Sequence, residues 1–410
     1  MKYLLLICSL LWTTSLDAAE TWTRFRGQNG AGRSELKGIP HSWQAEDYRW
    51  SRKLPGVGHS SPVSWGARVL ITSGDEASGQ RHLLAIDADK GSTLWQCSFE
   101  DLSHRKHQLN SFASGTPTVD SNGIYLGWGT PDNVTIVAVK HDGTVRWKKQ
   151  LGPFKSGHGF GVSLTLYKDL LIIPNEHEGQ SRLLALSTAD GSIRWQVERE
   201  SRVSYATPCI HKNGSRDELI FVNWHYGITA VDPASGARLW QADVFDKSHI
   251  ESSIASPIIA GGLVLGVSGW LGHGNEVIAV QPPPVGSDEA PRQVYRISRG
   301  APLCTTPLVQ DDLLFLWSDN GVVTAADSQT GTIHWQKRIG GTFYSSPICL
   351  DGAIYNIDVN GKVTVLKAAA EYQQLGSCSL GDPCHSTPAI GHGRLYLRTF
   401  TTLSALDPQP

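Results

Sequence analysis

One segment of this chain keeps coming back. Residues 83–95 read Leu-Leu-Ala-Ile-Asp-Ala-Asp-Lys-Gly-Ser-Thr-Leu-Trp, an apolar strand, a turn closing on Gly, and a second strand carrying Trp. The same pattern returns at 136–147, 183–195, 228–240 and 323–335, ending on Trp147, Trp195, Trp240 and Trp335. Self-similarity of this kind is the signature of a repeat architecture, in which each unit buries its apolar faces only against its neighbours. The Gly before the second strand supplies the positive-φ position of a hairpin.

A second marker alternates with the first. Ser61-Pro62, Thr116-Pro117, Thr207-Pro208, Ser256-Pro257, Thr306-Pro307, Ser346-Pro347 and Thr387-Pro388 each open a strand. Residues 161–173 fill the same slot without the Pro. Pro is tolerated at a strand start because its missing N–H is not needed there. The count is therefore eight copies, each of four short antiparallel strands. Such units arranged radially predict an all-β, eight-bladed β-propeller. The 410 residues, which would ordinarily suggest two or three domains, then make a single ring over 20–410. Two copies drift. The fifth carries Tyr295 at the Trp slot after the insertion Gln281-Pro282-Pro283-Pro284, and the seventh has Leu375 there.

Closure is also legible. The eighth copy stops at Ala405-Leu406-Asp407 without its Trp-bearing strand, while residues 48–54 precede the first copy with the matching pattern. This N-terminal strand is expected to complete the eighth blade and remove the sheet edges that invite aggregation. The chain has 14 Trp, and six of them, Trp50, Trp95, Trp147, Trp195, Trp240 and Trp335, then become blade-docking residues.

The first 19 residues have the layout of a cleaved secretory signal: Met1-Lys2, an apolar run from Tyr3 to Trp12, and small residues at Ala18-Ala19. The apolar run is too short to span a bilayer, and no second one follows. Cys8 lies inside that run and does not read as a lipid-anchoring residue. A periplasmic or secreted protein is expected. Six cysteines remain, none adjacent and none in C-x-x-C, which leaves zinc and thioredoxin-type chemistry without support. Cys378 and Cys384 close a short loop and are the disulfide candidates for an oxidising compartment. A net charge of −2 offers no basic face for nucleic acid. A closed ring is expected to be monomeric.

The pattern Leu-x-Ala-x-Asp-x-x-Thr/Asp-Gly-x-x-x-Trp followed by Ser/Thr-Pro resembles the pyrroloquinoline-quinone-type repeat over essentially the whole mature chain. That resemblance implies the eight-bladed fold of quinoprotein alcohol dehydrogenases and of the propeller lipoprotein of the outer-membrane β-barrel assembly machinery. Three further segments resemble a group of exported bacterial proteins with this repeat. They are Trp22-Thr23-Arg24-Phe25-Arg26-Gly27-Gln28-Asn29-Gly30-Ala31-Gly32, Gly58-His59-Ser60-Ser61-Pro62 and Gly157-His158-Gly159-Phe160-Gly161. The quinoprotein enzymes hold their quinone against a ring of adjacent cysteines and beside calcium. No two cysteines are adjacent here, and no Glu/Asn/Asp set matches that calcium site. No cofactor is therefore expected, pyrroloquinoline quinone included.

In a propeller, the loops joining fourth to first strands and second to third strands share one face. By that rule His59, His104, His107, His158, His177, His225, His249, His273 and His385 fall on one face, nine of the chain's 15 His. Trp128, Trp224, Trp270 and Trp317 end second strands that lead to it. The ligand-face candidates are His59, His107, Asn110, His158, Trp224, His225, Trp270, His273, Trp317 and Asp319. Indole faces stack on sugars or cations, and His can titrate. No local spacing supports a metal site, and no G-x-S-x-G elbow or phosphate loop is present. Glu176-His177-Glu178 reads as a polar turn, and the His104–His107 cluster as a solvated loop. The leading functional expectation is a non-catalytic binding or scaffolding propeller with a protein, glycan or small-molecule ligand. The alternatives are a quinone-dependent oxidoreductase and a polysaccharide-binding or processing protein.

Overall fold

A computed structural model describes residues 22–248, 252–270 and 273–409. The expected signal segment and His249 lie outside the described residues. The chain forms eight antiparallel sheets. Blades 1 to 7 are consecutive, spanning 63–99, 118–150, 165–199, 209–242, 258–297, 308–338 and 348–379. Blade 8 joins the C-terminal strands Ala389–Gly391, Arg394–Arg398 and Thr402–Leu406 to the N-terminal strand Tyr48–Lys53. In that pairing Trp50 lies opposite Ala405 and Lys53 opposite Thr402. Blade 7 gains a fifth strand, Arg33–Ser34, parallel to Ile348–Leu350.

Burial explains the strand patterns. The second and third strands of each blade are sandwiched between neighbouring blades, so both faces are covered. Accordingly, Arg81–Asp87 is buried at every position but the last, and Val134–Val139 throughout. Fourth strands lie at the outer rim and alternate, as in Tyr48–Lys53 and Thr93–Phe99. Two-sided burial selects continuous apolar runs, while one-sided burial selects alternation.

Rim docking uses the two repeat residues as a pair. Trp50 of blade 8 lies over Gly91 of blade 1, and its indole Nε1 donates to the Ala88 carbonyl at 2.9 Å. The same lock recurs from Trp95 to Gly143 and the His141 carbonyl, and from Trp147 to Gly191 and the Thr188 carbonyl. It continues from Trp195 to Gly236 and the Pro233 carbonyl. Tyr295 keeps it with its hydroxyl on the Ser328 carbonyl and its ring on Gly331. Gly236 shows why Gly is required: its φ is +73°, and a Cβ there would lie 2.6 Å from Trp195. Trp335 keeps the carbonyl bond, to Ala369. Trp240 departs from the pattern. It donates instead to Glu218 of its own blade, at 2.8 Å. The aspartate of the repeat folds the turn, as when Asp87 accepts from the backbone N–H groups of Asp89 and Lys90.

The expected Cys378–Cys384 disulfide is not formed; both are free thiols. Cys378 sits in strand register opposite Val363. Cys384 is buried, and its thiol donates to the carbonyls of Ser386 and Arg398. Backbone carbonyls thus take up the sulfur that the loop spacing had suggested was available for pairing. Among the described residues no helix is long and apolar enough to cross a membrane.

Candidate functional site at the mouth of the ring

The Ser/Thr of each Ser/Thr-Pro pair does more than open a strand. At six junctions its backbone N–H donates to the hydroxyl of the corresponding residue in the next blade. The links run Ser61 to Thr116, Thr116 to Ser163, Thr207 to Ser256, Ser256 to Thr306, Thr306 to Ser346 and Ser346 to Thr387, at 2.9–3.1 Å. Ser163 is the copy without Pro and takes its place in the same belt. At the junction of blades 8 and 1 the link is different. The fully buried Arg398 donates through Nη1 to the Ser60 carbonyl and hydroxyl and to the Thr72 carbonyl. Gly58 is where this guanidinium passes: a Cβ there would lie 2.1 Å from Nη2.

Residues 22–34 cross the ring on the other side of this belt. The Trp22 carbonyl accepts from Ser64 of blade 1 and the Thr23 carbonyl from Val119 of blade 2. Arg24 donates to the Pro208 carbonyl of blade 4 at 2.8 Å. Arg26 reaches the Pro307 and Pro347 carbonyls of blades 6 and 7 at 3.0 Å each. Asn29 exchanges two hydrogen bonds with the backbone of Ile210. The segment thus ties five blades together, and Phe25, between the two arginines, faces the cavity on the belt's far side.

That cavity, about 280 Å³, has the belt as its floor. His59, His107, Asn110, His158 and Trp270 line it, as do His385, Tyr205, Tyr344, Leu109 and Cys304. The histidines come in two pairs. The His59 and His385 rings are 4.5 Å apart, with Tyr344 and Phe400 each 4.9 Å from His385. The His107 and His158 rings are 4.7 Å apart. Asn110 places the second pair by donating to the His158 and Phe160 carbonyls at 2.7 and 3.1 Å. Gly159, at φ +86°, turns the chain beneath that amide. Burial holds His59 well below the usual imidazole range, aided by His385 and Arg398. It also pushes His385 down to about 4 and lowers His158. These three rings are therefore neutral acceptors and donors at pH 7.

The other candidates are not gathered here. Trp317 is fully buried and packs on Phe343 at 5.4 Å. Trp224 is buried and donates to the Asp246 carbonyl, with Lys247 over its ring. Trp128 is buried on Phe99 and donates to Asp101. Their place at the ends of second strands leading to this face made them suspects, but packing covers their rings. Trp270 alone of the four is exposed, at 40%. His225 stands 3.7 Å from Glu200, away from the cavity lining. His273 pairs in register with Trp270. Asp319 is half-buried and accepts from the N–H groups of Leu303 and Cys304 at 2.6 and 2.8 Å. It therefore positions two cavity residues from behind. The expected polar turn at 176–178 is partly a core feature: Glu176 is buried, bonded to Arg199 at 3.0 Å and Asn223 at 3.1 Å. His104 packs on Phe112, and Lys106 pairs with Glu76 at 2.7 Å.

Sequence reasoning missed the belt, the crossing segment, Arg398, Tyr205 and Tyr344. The Ser/Thr-Pro repeat was the signal for the belt, since a hydroxyl that recurs in successive blades is placed to meet its neighbour's backbone. Nothing local to Arg398 marks it.

This ring has a known kinship. The family model for outer membrane protein assembly factor BamB matches residues 41–151, 81–281 and 275–409. The chain belongs to the BamB family. A BamB of Yersinia pestis is 24% identical over 330 residues, 78% of this chain and 67% of its own length. The crystal structure of BamB from Moraxella catarrhalis superposes with a TM-score of 0.64 at 14% identity, covering 87% of this chain and 96% of that one. The quinohemoprotein alcohol dehydrogenase of Comamonas testosteroni gives 0.66 at 12% identity, over 95% of this chain and 81% of its own. A europium-containing methanol dehydrogenase gives 0.64 at 11% identity, over 92% and 89%. The solved structures share the PQQ-like repeat propeller with this BamB-family chain.

The residues present do not fit a calcium–quinone pair. Among the described residues no acidic side chain lines the cavity, whereas a hard divalent cation takes oxygen ligands, carboxylates foremost. Cys304 is the lone cysteine there, and burial together with the Asp319 carboxylate pushes its thiol well above the ordinary range. Among the described residues no three His, Cys, Asp or Glu side chains converge as metal ligands would.

Proposed function

We propose that this BamB-family chain is a non-catalytic scaffold of the bacterial cell envelope, periplasmic in location, that docks a protein partner on the mouth of its ring. The observation that carries this reading is the character of the mouth. Leu102, 79% exposed, and Leu109 stand out from the loop that also carries Arg105, and Trp270 is exposed at the end of its strand. Exposed apolar side chains grouped with polar ones are what a partner surface desolvates. The relative's name, an outer membrane protein assembly factor, supports a partner in outer-membrane assembly. Among the described residues the cavity walls supply hydroxyls and the neutral imidazoles of His59, His158 and His385 without a carboxylate base or an activated nucleophile, which favours binding over turnover.

The test is site-specific photo-cross-linking in cells at Leu109, with Ile193 on the outer rim as control. A component of the outer-membrane assembly apparatus captured from Leu109 and not from Ile193 is the expected result. Deleting the gene should lower the levels of outer-membrane barrel proteins, and the Leu109→Asp/Trp270→Asp double variant should not restore them. Unchanged barrel-protein levels with no position-specific cross-link would sink the reading. A glycan reading rests on Trp270 alone, and glycan-array binding lost in Trp270→Ala would favour it.

A further inference from the structure

Three guanidiniums surround the floor of the cavity with nothing to balance them. Arg24, Arg26 and Arg398 are all buried, Arg26 and Arg398 completely. Among the described residues none has a carboxylate within 4.0 Å. Their hydrogen bonds go to backbone carbonyls and the Ser60 hydroxyl, and Nε of Arg24, Nε of Arg26 and Nη2 of Arg398 have no partner among the described residues. Arginine stays protonated even where burial opposes it. Buried charges are otherwise paired, because an uncompensated one is costly.

The cavity beside them is suited to the missing charge. Arg24 and Arg26 flank Phe25, which faces it, and Arg398 holds Ser60, next to the cavity residues His59 and Ser61. Among the described residues no acidic side chain lines the walls, the Asp319 carboxylate lying behind Leu303 and Cys304 with both oxygens taken by their N–H groups. The belt hydroxyls accept from backbone N–H groups, which leaves their own protons to donate inward. Leu303, Tyr344 and Trp270 supply an apolar wall toward the mouth.

We infer that the cavity is a binding site for a carboxylate attached to an apolar or aromatic group, its oxygens on the belt hydroxyls in the field of Arg24, Arg26 and Arg398. Two sources offer that chemistry: a free small acid, and the carboxyl terminus of a polypeptide ending in an apolar residue. The inference is independent of the partner reading above, because it concerns the floor of the cavity and is tested with small molecules on the isolated full-length protein.

Calorimetry and thermal unfolding with matched pairs decide it. Phenylacetate is compared with phenylacetamide, and a short N-acetylated peptide ending in Phe with its C-terminal amide. Both acids should bind and raise the melting temperature, and both amides should bind at least about tenfold more weakly. Tighter binding of the peptide acid assigns the site to chain termini; tighter binding of phenylacetate assigns it to free acids. Arg26→Gln should weaken the acids and leave the amides unchanged. Should that variant fail to fold, the acid-to-amide ratio of the natural protein still decides. Equal binding of acids and amides, or no binding of either acid at millimolar concentration by folded protein, overturns the assignment.

Discussion

The rim and the mouth of this ring are built from the same repeat by opposite means. At five rim junctions a bulky aromatic sits on a glycine and donates one hydrogen bond to a carbonyl, and the pairing is local to two adjacent blades. At the inner ring, the junctions are small hydroxyls bonded to backbone N–H groups, overlaid by arginines that reach several blades at once. Packing carries the rim and hydrogen-bond satisfaction carries the centre. The first can tolerate the loss of one partner by drifting, as Tyr295 shows. At the second a lost partner costs more, because an orphaned buried donor keeps its full desolvation cost.

The sharpest way to break this comparison is Trp195→Ala. The side chain is buried between blades 3 and 4, so a loss of about 3–5 kcal/mol is expected in denaturant unfolding. Gly236→Ala attacks the same lock from the other side. A methyl at φ +73° and 2.6 Å from the Trp195 ring should cost roughly 1–3 kcal/mol, visible as a lower unfolding midpoint. If this change is silent, the aromatic is not seated on its glycine.

The mouth should respond to pH where the rim does not. The folded protein holds His385 at about 4, and His59 and His158 also below their ordinary value. Between pH 4 and 6.5 the unfolded chain therefore binds more protons than the native one, so stability falls as pH falls through that window. On the order of 1–3 kcal/mol should be lost by pH 4.5 relative to pH 7, and His385→Phe should remove part of that slope. Thermal unfolding across pH 4–7 measures both.

Thr306→Val keeps the shape of a belt residue and deletes the hydroxyl that accepts from Ser256. A cost of about 1–2 kcal/mol is expected, from one buried N–H left unpaired. Trp270→Ala should lie within about 0.5 kcal/mol of the natural protein, since the exposed indole docks no blade. A large loss here would move Trp270 from the ligand-facing group to the packing group.

Much of the rim was readable in advance, for the reason that makes it stable. A residue that meets the same neighbour in every blade recurs at the same place in every repeat. Trp50, Trp95, Trp147, Trp195 and Trp335 all donate to the next blade. Trp240 does not; it bonds Glu218 of its own blade, and the next blade carries Pro282-Pro283-Pro284 after its third strand. The site was legible only in outline. His59, His107, His158 and Trp270 could be sorted to one face by strand order. Which indoles stay exposed on that face depends on how each loop packs, and that separated Trp270 from Trp224 and Trp317.

The amino-acid sequence alone determined the number of blades, the four-stranded unit and the residues that lock the rim. Those are periodic properties, and periodicity is visible in one dimension. Only the tertiary structure decided that Cys378 and Cys384 stay apart and that hydroxyls 40 to 55 positions apart form one belt. It also decided that residues 22–34 cross the ring. It brought three arginines from opposite ends of the chain around one cavity. Those contacts are made across the ring's axis, where residues distant in sequence become neighbours and no repeat announces them.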